Sequence, residues 1–204
     1  MKINFLYCYA CIAAMQLCWC SGLSAQIDIS GNIRTVTNEG IANVNLTLSG
    51  PGVTMYAISE VNGDYQFTGV PANQNYTICL DMNTNPLNGV STFDNVLIFN
   101  HIITTNVFTS GYTIVAADAT GDNLVDMRDV YRIREMILVI HTDFPGGVPS
   151  WRFVPADYPL DPVNPFPLPA PLQCKDISAG TTNITGVDFI GIKTADVNGT
   201  AVTN

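Results

Sequence analysis

The run from Asp118 to Asp129, DATGDNLVDMRD, limits the folds open to this chain more than any other stretch. It sets oxygen-bearing side chains at positions 1, 3, 5, 9 and 12 of a twelve-residue loop: Asp118, Thr120, Asp122, Asp126 and Asp129. Leu124, at position 7, can offer its backbone carbonyl. A hard cation such as calcium takes six to eight oxygens, and this spacing wraps them around one ion. Four carboxylates held this close repel one another unless a cation lies between them. The chain must therefore fold around a neutralised loop.

The first twenty-five residues read as a secretory leader. Lys2 precedes an apolar run from about Phe5 to Cys20, and Ser21-Gly-Leu-Ser-Ala25 supplies small residues for cleavage. The apolar run is too short for a membrane-spanning helix. Cys8, Cys11, Cys18 and Cys20 leave with the leader, so Cys79 and Cys174 remain as a candidate disulfide in an oxidising compartment. The remainder has seven basic against seventeen acidic residues, a balance of −10. Nucleic-acid binding rests on neutralising phosphates with Lys and Arg, so that class is excluded. The chain is expected to be secreted or displayed at the cell surface, with no membrane span.

Residues 26–81 read as strands. Ile27-Asp-Ile-Ser, Val44-Asn-Leu-Thr-Leu48 and Tyr65-Gln-Phe-Thr68 alternate apolar and polar side chains, the pattern of half-buried strands. Turn signals separate them at Asn38-Glu-Gly40, Gly50-Pro-Gly52 and Asn62-Gly63, the last of which predicts a hairpin. Short strands at this spacing predict a small β-sandwich. The pieces ISGNIRTVTNEGIANVNLTLSG and SEVNGDYQFTGVPANQNYTI, in that order, resemble the carboxypeptidase regulatory-like (prealbumin-like) sandwich domain. The resemblance implies a non-catalytic spacer or adhesion unit.

From Asn83 the chain repeats itself. A shift of 35 residues places Asn83 on Asp118, Asp94 on Asp129, Ile98 on Ile133 and Ile102 on Ile137. Each copy is a loop followed by a helix, and Val130, Ile133, Ile137 and Ile140 form an apolar stripe at helical spacing. This doubled unit, residues 82–141, resembles the type I dockerin domain, a pair of F-hand calcium repeats. The resemblance makes Asp118, Thr120, Asp122, Leu124, Asp126 and Asp129 calcium ligands. Asn123 stands where glycine is usual, and Asn tolerates the left-handed conformation required there. The first loop keeps only Asn83, Asn85, Ser91 and Asp94, with Leu87 at position 5, and reads as degenerate. The positions that meet cohesin in that family hold Thr92-Phe93 and Met127-Arg128 instead of Ser/Thr pairs. A cohesin-like partner is the one the resemblance implies, through an altered surface.

Residues 142–204 begin with a proline-dense stretch, favouring extended backbone over helix. Its aromatics Trp151, Phe153 and Tyr158 either clamp it to a core or offer faces for glycan contact. The end, Val187 to Thr200, reads as a strand running into half a calcium loop. Asp196 and Asn198 there could complete a composite second site with Asp94. The expected fold is thus α+β and multi-domain: leader 1–25, sandwich 26–81, dockerin-like pair 82–141 and Pro-rich extension 142–204. No nucleophile elbow or zinc-binding helix motif is present, and His101 and His141 read as packing or surface residues. The expected function is a non-enzymatic, calcium-binding (Ca2+) structural and interaction module. The alternative is the accessory, dockerin-bearing part of an extracellular polysaccharide-degrading enzyme or complex.

Overall fold

The computed structural model describes residues 25–158, 160–166 and 173–203. The expected leader lies outside the described residues except for Ala25, as do Pro167, Pro169 and Pro171. Eight strands form two four-stranded sheets, and three α-helices lie beside them, giving an α+β fold. The strands are β1 (Gln26–Arg34), β2 (Asn45–Gly50), β3 (Val53–Ile58), β4 (Asp64–Pro71), β5 (Gln74–Asp81), β6 (Trp151–Pro155), β7 (Cys174–Ala179) and β8 (Phe189–Lys193). One sheet has the order β4-β1-β8-β6 and the other β3-β2-β5-β7.

The period-two pattern places the core. Ile27, Ile29 and Ile33 of β1, Leu46 and Leu48 of β2, Tyr65 and Phe67 of β4, and Tyr76, Ile78 and Leu80 of β5 all turn inward and are buried. Their alternate neighbours face outward, as expected for a sheet with one wet face. Segment 26–81 supplies five strands, and the other three come from the segment beyond residue 141. In the first sheet β8 runs parallel to β1 at Ile33–Phe189 and Arg34–Ile190, and β6 pairs antiparallel to β8. In the second, β7 pairs with β5 from Gln74–Ala179 to Cys79–Cys174.

The tight hairpin forms at Gly50-Pro-Gly52, where Gly50 faces Val53 across the Pro51-Gly52 turn. Gly52 has φ +72°, which fits Pro then Gly at the centre of a type II turn. The hairpin expected at Asn62-Gly63 is absent. That turn carries the chain from β3 in one sheet to β4 in the other. Gly63 is needed there because a Cβ would lie 2.0 Å from the Ile33 carbonyl oxygen, and because its φ is +82°.

The helices are α1 (Thr92–Ile102), α2 (Gly111–Ala117) and α3 (Met127–Ile137). Ser91 and Asp126, 35 residues apart, each cap a helix, and Asp94 and Asp129 return hydrogen bonds to the cap backbone in matching capping boxes. Ile98 of α1 and Ile133 of α3 meet in a small second core with Met136, Phe144 and Ala195. Ile140 does not extend the expected stripe. The helix ends at Leu138, Val139 takes φ +56°, and Ile140 is exposed. Met136 fills the buried position instead. The unexpected α2 presents Val115 and Ala116 to Val154 and Ile192, covering the outer face of β6 and β8. With Trp151 and Phe153 in the sandwich core on the other face, all five residues of β6 are buried. Trp151 and Phe153 therefore have no exposed ring face for a glycan, which sets aside that expectation for both, while half-buried Tyr158 packs with the α2 cluster. Among the described residues no helix is long and apolar enough to cross a membrane.

Cys79 and Cys174 are joined in a disulfide across the β5–β7 register, 95 residues apart in sequence. In the chain-entropy view, closing so long a loop stabilises by about 4–5 kcal/mol. Urea unfolding with and without reductant, beside the Cys79→Ser/Cys174→Ser variant, should show a loss of that order in both comparisons. An unchanged midpoint on reduction would show that the staple contributes nothing.

Candidate metal centre

Helix α2 ends at Asp118, and the following loop needs backbone conformations that few residues adopt. Gly121 and Asn123 take φ of +74° and +65°. This folds the chain around the Asp118 carboxylate, which is 1% exposed. It accepts the amides of Gly121 (2.7 Å), Asp122 (3.2 Å) and Asn123 (3.2 Å). Asp129, 0% exposed, closes the loop from the first turn of α3. It accepts the Thr120 amide and hydroxyl, both at 3.0 Å, and the Asp126 amide at 2.9 Å. Burial pushes the Asp129 carboxyl above its ordinary range, and the Asp118 charge adds to the effect.

The remaining loop carboxylates face outward. Arg128 holds Asp122 and Asp126, each at 2.7 Å, and its hydrogen bonds keep the Asp126 carboxyl below its ordinary range. Leu124 is exposed, and its amide donates to Asp122 at 3.0 Å. The all-oxygen donor set suits a hard divalent cation, and two of its carboxylates are already withdrawn from water. Among the described residues, however, no three acidic, histidine or cysteine side chains stand together as a metal-holding group. Asp122 and Asp126 would have to leave Arg128 to complete such a group with Asp118 and Asp129. An exposed ion pair of that kind is worth little, so the exchange is cheap.

The degenerate first loop is divided. Asn83 accepts the Ser150 amide at 2.9 Å and thus anchors the approach to β6. Asn85 adopts φ +47° in the turn before Asn88. Ser91 and Asp94 stay together in their capping box, and the C-terminal segment comes to them. The Asp94 carboxylate, 0% exposed, accepts the Val197 amide at 3.0 Å. Asp196 accepts the amides of Gly199 (2.9 Å), Thr200 (3.1 Å) and Ala201 (2.7 Å). These are the residues three, four and five further on, the same set that Asp118 holds. Gly89 allows the approach, since a Cβ there would lie 2.8 Å from the Asp196 carboxylate. Asn88 pairs with the Val202 backbone through both ends of its side-chain amide: Nδ2 donates to the carbonyl and Oδ1 accepts the amide. Asn198 is exposed, and no bond ties it to Asp94. Burial pushes the Asp196 carboxyl up, with Asp94 adding to the shift.

Two buried cations lie behind these loops, and the sequence reading named neither. Arg152 of β6 is 3% exposed. Its Nη1 donates to the Val115 carbonyl at 3.0 Å and lies 3.7 Å from the Asp118 carboxylate. Its Nη2 donates to the Asp118 carbonyl. Lys193 of β8 is also buried and donates to the Pro86 carbonyl at 2.7 Å; burial pulls its amine down to about 8. A charged residue inside an apolar run such as Trp151-Arg-Phe-Val154 is the signal that would have found Arg152. The histidines are occupied structurally: His101 accepts the Phe108 amide and stacks on its ring, and His141 lies 3.7 Å from Glu135.

The raised Asp129 carboxyl has a measurable consequence. Its native form keeps a proton to higher pH than the unfolded chain does, so in chelator its contribution to stability falls as pH rises from about 4 through the native value. Asp129→Asn lacks that slope. The stability of the variant relative to the parent, followed in EDTA from pH 4 to 7, should therefore improve with pH. A difference independent of pH would contradict the assignment. Comparison with family models, curated proteins and solved structures finds no match to this chain.

Proposed function

We propose that this protein is a secreted, non-catalytic module that binds calcium at the Asp118–Asp129 loop and uses its helical pair to hold a protein partner. The observation that carries the reading is the Asp118–Asp129 pair, two carboxylates buried at opposite ends of one loop of oxygen donors. Asp118, Asp122, Asp126 and Asp129 supply side-chain oxygens and Leu124 a carbonyl. The ion supplies the charge that these groups lack when Arg128 is displaced. The Asp94–Asp196 pair has only two carboxylates, and its affinity is correspondingly weaker. The Cys79–Cys174 disulfide supports an oxidising, extracellular setting.

The partner role is supported by α1. Phe93, Val96, Phe99 and Ile103 stand exposed along its outer side, where α3 carries Arg128, Tyr131, Arg134 and Leu138 at the positions 35 residues on. An apolar row of this kind on a secreted domain marks a surface that meets another protein. The two outer faces differ, so the pair presents one preferred side. In the dockerin resemblance Thr92-Phe93 and Met127-Arg128 hold the positions that meet cohesin, and the loss of the Ser/Thr pairs points to a partner with an apolar contact surface.

Calorimetric titration with calcium, beside Asp118→Ala/Asp129→Ala, tests the metal reading. The parent should bind saturably and the variant should not. At one hundred times the dissociation constant, calcium should raise the parent's stability by about 2.7 kcal/mol. Asp196→Ala should leave this main event intact and remove only a weaker one. Absence of binding at millimolar calcium, or equal melting in calcium and chelator, would end the proposal.

A further inference from the structure

Arg152 is a permanently charged group taken out of water, and three oxygen acceptors surround it: the Val115 carbonyl, the Asp118 carbonyl and, at 3.7 Å, the Asp118 carboxylate. Two of these belong to one residue. Asp118 is thereby held from behind by the sheet while its carboxylate gathers the amides of Gly121, Asp122 and Asn123 in front. The Val115 and Asp118 carbonyls belong to the end of α2, where unpaired carbonyls concentrate negative charge. We infer that Arg152 is the internal counter-cation of the Asp118 loop, a positioning residue that keeps the loop closed before any metal arrives.

The argument is one of charge and tether together. With Arg152 absent, Asp118 and Asp129 would remain two buried carboxylates close to each other, with only backbone amides and the Thr120 hydroxyl as partners. Such a pair opens to water, as an uncompensated buried charge must. With Arg152 present, one charge is matched by a group fixed in β6, a strand paired to β8 along its whole length. Loop shape is then inherited from the sandwich. An ordinary metal loop orders itself only as the ion binds, whereas a loop tethered in this way needs no ion to hold its shape. Lys193 parallels the arrangement at the composite loop: it lies in the neighbouring strand, is buried, and feels the Asp196 charge.

The metal-dependent half of this role rests on calcium binding at the loop, and the metal-free half does not. The experiment uses Arg152→Met and Arg152→Lys in the full chain, with amide hydrogen exchange of Gly121, Asp122 and Asn123 read in EDTA and again in millimolar calcium. In EDTA, Arg152→Met should speed exchange of these three amides by about tenfold or more relative to the core amides of β1 and β2. Calcium should restore their protection. Arg152→Lys should recover part of the protection in EDTA, because an ammonium brings the charge but not the planar fork that reaches two carbonyls. Wild-type exchange at all three positions in EDTA-treated Arg152→Met would overturn the inference and reduce Arg152 to a packing residue. If Arg152→Met does not fold, the Lys variant and Asp118→Asn decide: unchanged protection in both overturns it equally. Lack of calcium binding by the parent would end the calcium reading, while the EDTA measurements would still decide the role of Arg152.

Discussion

Four carboxylates withdrawn from water are the constraint on which this structure depends. Asp94, Asp118, Asp129 and Asp196 are all buried, and each accepts backbone amides. Burying a charge is tolerated only when hydrogen bonds and counter-charge replace its hydration. The amides explain the local geometry: the tight loops after Asp118 and Asp196, the left-handed Gly121, Asn123 and Gly199, and the capping boxes of α1 and α3. They do not remove the negative charge. Arg152 and Lys193 answer part of that need from the sheet, and the proposed calcium would answer the rest at Asp118–Asp129.

The 35-residue repeat shows how the same solution is reached by two chain paths. At Asp118–Asp129 the two carboxylates are eleven residues apart in one continuous loop. At Asp94–Asp196 they come from segments about a hundred residues apart, and the turn after Asp196 reproduces the three amide bonds made to Asp118. The intervening chain is where β6, β7 and β8 arise. The C-terminal half therefore completes both sheets of the sandwich and the second carboxylate pair in one passage. Separating sandwich from helices would break sheet pairing and loop closure together.

Local chemistry was legible in the sequence, and long-range pairing was not. The strands of 26–81, the two loop–helix units and the Asp118 loop all declare themselves within a dozen residues, by alternation, helical spacing and oxygen spacing. The Asn62-Gly63 turn is equally clear as a turn. Whether it joins paired strands depends on β1 pairing with β4 and β2 with β3, which no local pattern encodes. The end of α3 is a similar case. Ile140 keeps the helical period, but Val139 leaves the helical conformation and Met136 already fills the core position. Trp151 and Phe153 could have been read as exposed or buried. Both turn into the sandwich core, while the other face of β6 at Arg152 and Val154 is covered by α2, a seven-residue helix with no side-chain cap. Such a helix has little stability of its own and forms because the sheet is there to bury it.

That dependence alters what the dockerin resemblance can carry. In a free-standing pair of loop–helix repeats, the metals and the packing of the two helices supply the whole fold, and a linker separates it from its neighbours. In this chain the connection between the repeats is α2, and α2 is packed on β6 and β8 of the sandwich. Asp118 lies at the point where α2 ends, held to the sheet by Arg152. The Ala195 amide, just beyond β8, donates to the α2 carbonyl of Ala116 at 2.8 Å. Any change in the loop is thus transmitted to a strand rather than lost in a flexible tether. Helix α1, with its exposed phenylalanines, is tied to the same edge by the Val197 amide, which donates to Asp94 at 3.0 Å, and by packing of Ile98 with Ile133 and Ala195. The proposed partner, docking on α1, would therefore meet a surface fixed to the sandwich, so ordering would cost little on binding.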